Sequence, residues 1–188
     1  MSSGRGGSAP SPSFALHAAR PRVLLIGEDA GIGPVISLAE RLRGELASAD
    51  YGRGSPPAAG STSAGPRWKP LVLLGSEQPF PFRARPSAVI VAGIPREVIG
   101  CMPLLEEWGI PCRLASRSDF PGCFEGAVPE LAAAWLGSLG PAELAEVEMF
   151  ACGPAAMLEA TAALAGRYAI PCQTSLAEVV VARAAPGS

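Results

Sequence analysis

The feature that most constrains this chain is the form of its apolar segments. "PRVLLIG", "KPLVLLGS", "SAVIVAG", "IPCRLAS" and "EVEMFACG" are short and continuously apolar, and helical or turn-forming stretches separate them. A strand with one wet face alternates apolar and polar residues. These do not alternate, so both of their faces must be covered. Buried strands separated by helices are the signature of a parallel sheet sandwiched between helical layers. The expected fold is therefore α/β, a single open parallel sheet with helices on both faces.

The order of segments refines this. Residues 1–19 are rich in Gly, Ser, Pro and Ala and read as a disordered leader. A first strand (about Arg22–Ile26) leads through a glycine turn into an amphipathic helix from about Pro34, a residue suited to the first helical position. Residues 50–67 form a Gly/Pro/Ser stretch, expected to be a mobile loop. "KPLVLLGS" is the second strand, "EQPFPFRARP" a proline-broken connector and "SAVIVAG" the third strand. "PREVIGCMPLLEEWG" is expected as a helix ending at Gly109, and "IPCRLAS" as a further strand. A loop "DFPGCFEG", a helix "AVPELAAAWLGSLG" and a last strand–turn–helix–strand unit complete the domain at about residue 180, with 181–188 as a tail.

Composition excludes several classes of function. The formal net charge of -2 gives no basic footprint for nucleic acid or an anionic membrane. No apolar run approaches the ~20 residues of a membrane helix, and the amino terminus lacks the apolar core of a signal peptide. A cytoplasmic location is expected. The five cysteines, Cys101, Cys112, Cys123, Cys152 and Cys172, form no C-x-x-C pair, and an odd number fits reduced thiols. The single histidine, His17, argues against a His-based metal site or a Ser-His-Asp triad, so no metal ligands are assigned.

In an open parallel sheet, ligands bind beyond the carboxyl ends of the strands. Three loops belong there: "GEDAGIGP", "RSDFPGCFEG" and "ACGPAAM". Glycines in the first allow close approach of a ligand, and the following helix offers free N–H groups to an anion. Any strand-to-helix turn also favours glycine, so this loop alone is equally compatible with a structural turn. Its spacing is not G-x-G-x-x-G. At the last loop, a cysteine at a strand end is equally well a small buried residue.

Taken together, the three loops resemble the pyridine-nucleotide-binding module of the ferredoxin–NADP reductase superfamily. The nearest branch is the electron-transfer subunit of the dihydroorotate dehydrogenase B type. Gly27 to Pro34 stand where the family has roughly G-G-G-x-G-I-x-P. Cys152, Gly153, Pro154 and Met157 match its C-G-P-x-x-M, and Ser175-Leu176-Ala177-Glu178 are similar to its S-L-E-E. Asp119 to Gly126 are similar to its acidic-glycine loop. The resemblance covers about residues 20–180. It implies a Rossmann-like domain of the ferredoxin reductase NAD-binding type, with strand order 3-2-1-4-5 and "SAVIVAG" as an extra or edge strand. It implies NAD(P)H contacts at Gly27, Gly31, Ile32, Gly33, Pro34, Asp119, Gly122, Gly153, Pro154 and Met157, with Cys152 beside the site of hydride passage.

The departures shape the functional expectation. About 20 residues precede the first strand, too few for the family's flavin barrel, and no cysteine follows Cys172 to hold a 2Fe–2S cluster. FAD is therefore expected only through a partner chain, with no iron–sulfur cluster in this one. Glu28 and Asp29 replace two glycines. A carboxylate about 6 Å from a phosphate charge costs on the order of 2–3 kcal/mol at an effective dielectric near 20. Arg22, Arg83, Arg85 or Arg117 are the cations available to offset it, unless the acids point to solvent and cap the turn. Three readings stand: a detached NAD(P)H-binding module working with a separate flavoprotein, a non-catalytic descendant serving as a partner-binding or regulatory subunit, and an unrelated α/β protein for another small anion. The partner is expected to be a flavoprotein subunit or a second copy in a homodimer. It would cover a flank near Phe80, Phe82, Phe120 and Phe124, unless those rings fold inward.

Overall fold

The computed structural model describes residues 14–51 and 68–177, with 45–51 by backbone alone. The expected mobile loop, apart from its first two residues, and the residues from 178 on lie outside the described residues. The strands are β1 (Arg22–Glu28), β2 (Lys69–Gly75), β3 (Arg85–Pro86), β4 (Gly100–Cys101), β5 (Cys112–Ser116), β6 (Phe124–Glu125), β7 (Val147–Gly153) and β8 (Cys172–Leu176). The helices are α1 (Ile32–Tyr51), α2 (Pro103–Glu107), α3 (Val128–Gly137), α4 (Pro141–Ala145) and α5 (Ala155–Arg167).

Six strands form one sheet in the order β6-β5-β2-β1-β7-β8, and every pairing in it is parallel. The five longer strands, counted along the chain, stand in the order 3-2-1-4-5, as expected. The short β6 lies outside the third of them.

Strand alternation divides the core in two. Val23, Leu25, Val72, Leu74, Cys112, Leu114, Phe150 and Cys152 face α1 and α2, where they meet Val35, Leu38, Leu42 and Leu105. Leu24, Ile26, Leu71, Leu73, Ala115, Val147, Met149 and Ala151 face α3 and α5, where they meet Leu131, Leu136 and Leu164. Covering both faces is what makes the strands continuously apolar. Fully burying each Leu, Val or Phe contributes about 1.5–3 kcal/mol, so these two layers dominate stability.

Four expectations are corrected. "SAVIVAG" is not a strand: residues 87–93 form bends and a turn. Side chains compete for its backbone there. Glu106 accepts from the Ala88 N–H at 2.6 Å, Ser87 Oγ accepts from the Val89 N–H at 3.1 Å, and Arg113 donates to the Val89 carbonyl. The helix expected from residue 95 shrinks to α2. Gly100–Cys101 pairs antiparallel with Arg85–Pro86, and Pro103 then opens the helix at a position where its missing N–H has no cost. Its end at Gly109, with φ +70°, agrees with the expectation. Helix α1 starts at Ile32, so Pro34 falls inside the first turn, where N–H groups lack intrahelical partners anyway.

The fourth correction concerns the leader. Phe14 is buried, with its ring edge-on to Phe150 at 5.1 Å, and His17 bonds to the buried Glu148 through both its N–H (3.2 Å) and Nδ1 (2.9 Å). The segment from Phe14 therefore belongs to the fold. Residues 1–13 lie outside the described residues.

Candidate functional site

The chain turns from β1 in one direction to β2 and in the other to β7, so the topological switch point lies between the carboxyl ends of β1 and β7. Ligands of open α/β sheets bind at such a point. The two most specific sequence elements, Gly27–Pro34 and Cys152–Met157, meet there. They are distant in sequence, and only the pairing of β1 with β7, Gly27 opposite Cys152, joins them.

Close packing explains the small residues. A Cβ on Gly27 would lie 3.1 Å from the Gly31 carbonyl and 3.2 Å from Val35. One on Gly31 would lie 1.8 Å from the Cys152 carbonyl oxygen and 2.7 Å from the Gly153 nitrogen. The β1–α1 turn thus rests backbone on backbone against the end of β7. A Cβ on Gly153 would meet the Met157 methyl at 2.5 Å and the Glu28 carbonyl at 3.2 Å. Met157 is buried and its sulfur accepts a bond from Thr161 Oγ1 at 3.3 Å. Pro154 holds the extended N-cap position of α5. Ile32, the first residue of α1, is buried and its N–H donates to the Asp29 carbonyl, whereas Gly33 is exposed with open space around it and Pro34 brings no N–H.

The Cys152 side chain points away from this edge, into the apolar layer beneath α1, and is 1% exposed. Burial pushes its thiol up, against a smaller opposing effect of a hydrogen bond with Ser175, its register partner on β8. Such a thiol is a poor nucleophile.

An acidic group dominates the neighbouring surface. Asp29 adopts a left-handed conformation, φ +50°, and its Oδ1 accepts from Ser76 Oγ at 2.9 Å. It is thereby turned toward the end of β2, and Glu28, at the N-cap position of the turn, makes no side-chain cap. Glu28 is half-buried, its stem within contact distance of Cβ positions at Gly75 and Gly153. Burial raises its carboxyl, Asp29 and Glu77 raise it further, and Arg117 partly opposes them. Of the four cations considered from sequence, Arg117 is the one that acts here, and it bonds Glu77 at 2.8 Å. Arg22 sits at the opposite edge with Glu143 and Glu146, and Arg85 pairs with Glu107.

The middle loop stands farther off. It follows β5, which β2 separates from β1. Ser118 Oγ ties it to the Glu77 carbonyl at 2.9 Å, while Asp119 is exposed. Gly122 has φ +77° and its carbonyl accepts from the Gly100 N–H at 2.7 Å, so its glycine is required by the turn. The structure thus unites Gly27, Gly31, Gly153, Pro154 and Met157, and sets Asp119 and Gly122 two strands away. Ser76 and Glu77 were not singled out from sequence. Their position just past the second apolar run is the signal that marks them.

Phe82, Phe80 and Phe120 form a half-buried row with ring centroids 5.3 and 6.0 Å apart, and Phe80 and Phe82 pack against the α1-side core. Phe124 packs against the other layer. At the amino edge of the sheet, opposite the switch point, a groove of about 510 Å³ is lined by Trp68, Trp108 and Trp135, together with Lys69 and Ile90. No helix among the described residues is long and apolar enough to cross a membrane. The chain matches no protein-family model and no curated protein.

Proposed function

We propose that this chain is the pyridine-nucleotide-binding module of an electron-transfer oxidoreductase and works with a separate flavoprotein. One observation carries the reading: the two sequence elements that resemble the reductase superfamily flank the switch point of a sheet with strand order 3-2-1-4-5.

The residues fit a dinucleotide unevenly. Open space at Gly33, at the amino end of α1, leaves room for a pyrophosphate, but the Ile32 N–H is taken by the Asp29 carbonyl and Pro34 has none to offer. Glu28, with its carboxyl already raised by burial and by neighbouring acids, opposes one, and so does Asp29. The same acids suit ribose hydroxyls and disfavour a 2′-phosphate, so NADH is the expected form over NADPH. Bound NADH would supply a hydride, and FAD in the partner would accept it. This chain's part is to bind and orient. Its Cys152 contributes backbone to the turn and does no proton or thiol chemistry at the edge.

A second reading, a non-catalytic partner-binding or regulatory subunit, is favoured by the acidic surface at the switch point and by the inward-facing Cys152 thiol. Calorimetry with NADH, NADPH and ADP-ribose, on the wild type and on Glu28→Gly/Asp29→Gly, separates the two. The nucleotide reading expects saturable NADH binding that tightens roughly tenfold or more in the double variant. No binding to either protein overturns it and leaves the subunit reading, for which light scattering and co-purification identify a flavoprotein or a second copy as partner.

A further inference from the structure

We propose that the cavity between β5 and the 87–99 segment is a binding site for a small organic carboxylate with an apolar body, and that Arg113 is its counter-charge. The site is separate from the switch point.

Arg113 is 5% exposed, on the strand face turned toward α3 and α5. The other arginines with carboxylate partners among the described residues, Arg22, Arg85 and Arg117, are all more exposed. Among the described residues Arg113 has no carboxylate within ion-pairing distance. Its hydrogen bonds go to backbone carbonyls, those of Cys112 at 2.6 Å and Val89. A guanidinium carries five N–H donors, so bonds to two carbonyls leave donors unused. Burial opposes ionisation of Glu106, but its bonds with Ser87 Oγ (2.8 Å) and the Ala88 N–H (2.6 Å) and, more weakly and from beyond ion-pairing distance, the Arg113 charge hold its carboxyl low, so it balances the guanidinium only in part. A buried cation without a paired anion is costly, and structures retain one where something else supplies the charge.

Arg113 lines a cavity of about 370 Å³. That is at the lower end of the roughly 300–1,000 Å³ of ligand pockets. Its walls are aliphatic, with Ile90, Ile94, Val98 and Ile99 among them, and Arg96 is a second cation on its lining. Ile90 is 94% exposed and Ile99 is 42% exposed, apolar surface that a bound aliphatic chain would cover. The irregular segment 87–99 supplies every lining residue except Arg113. An apolar pocket with one convergent charge is the usual form of a small-molecule site. A planar guanidinium is matched to a carboxylate.

The test uses the full chain and calorimetry with octanoate, octan-1-ol and inorganic phosphate. Octanoate is expected to bind once per chain, below about 1 mM, and octan-1-ol about tenfold more weakly or worse, because it lacks the charge. Phosphate alone, lacking the apolar body, is expected to bind no better than octan-1-ol. Arg113→Met should weaken octanoate at least about tenfold. Arg96→Asp changes an exposed side chain that lines this cavity and not the tryptophan groove, so it leaves the melting temperature unchanged, and by placing an anion on the lining it should weaken octanoate about threefold or more. Absence of saturable octanoate binding, equal binding of the alcohol, phosphate binding as tight as octanoate, or an Arg96→Asp protein with unchanged affinity would each overturn the proposal. If Arg113→Met does not fold, Arg96→Asp and the ligand series still decide it.

Discussion

Replacing Gly31 with alanine tests the central feature of the site, the seating of the β1–α1 turn on the end of β7. The new Cβ would lie 1.8 Å from the Cys152 carbonyl oxygen, 2.2 Å from its carbon and 2.7 Å from the Gly153 nitrogen. Ordinary carbon contacts lie near ~3.5–4.0 Å, so turn and strand must part by more than about 1 Å. Both sides are backbone, and no rotamer relieves the overlap. Parting them also disturbs Ile32 and Val35, which are 3% and 0% exposed in the α1-side core. Overpacking costs about 1–3 kcal/mol when side chains can yield. Here they cannot, and the expected loss is about 3 kcal/mol or more. With a urea slope near ~2 kcal/mol/M, the unfolding midpoint should fall by about 1.5 M. The melting temperature should fall by about 6–12 °C. Gly33→Ala is the control. No atom lies within 4 Å of its Cβ position, so alanine there should stabilise by about 0.4–1 kcal/mol through the unfolded chain. Urea titration of the three proteins by circular dichroism gives the numbers. A Gly31→Ala protein within about 0.5 kcal/mol of wild type would show that this contact is not as described.

Glu28→Gln should raise the melting temperature near neutral pH. The native carboxyl is raised, so its ionised form destabilises the fold above that value, and protonation removes the difference as pH falls through the ordinary carboxylate range. An equal shift at pH ~7.5 and ~3.5 would contradict the assigned environment of Glu28. A chain that begins at Arg20 should lose about 3 kcal/mol or more, since it removes the buried Phe14 and leaves the buried Glu148 without His17. Unchanged urea stability would return residues 14–19 to the status of a leader. In alkylation mapped by mass spectrometry, Cys112, with its thiol pushed up to about 12, and Cys152 should react about a hundredfold or more slower than in the unfolded chain. Rapid labelling of Cys152 in the native protein would place its thiol at the surface and revive a thiol role at the switch point.

The apolar runs determined the fold class, because a strand without a polar face has to be covered twice, and that requirement is local to each run. The switch-point motifs were also legible, since Gly31 stands where backbone meets backbone and no other residue is small enough. Tertiary structure alone decided three other things. "SAVIVAG" has the residues of a strand, but Glu106 and Arg113, from α2 and β5, take its backbone groups, and no local propensity reveals that competition. Phe14 and His17 sit in a sequence with the composition of a leader, yet Phe150 and Glu148 on a distant strand give them partners. Whether Glu28 and Asp29 faced the helix or the neighbouring strand depended on Ser76, Glu77 and Arg117, which join them only when β1, β2 and β5 lie side by side. Pattern within a segment fixes what that segment must bury, whereas the charge and hydrogen-bond partners it meets are set by which strands become its neighbours.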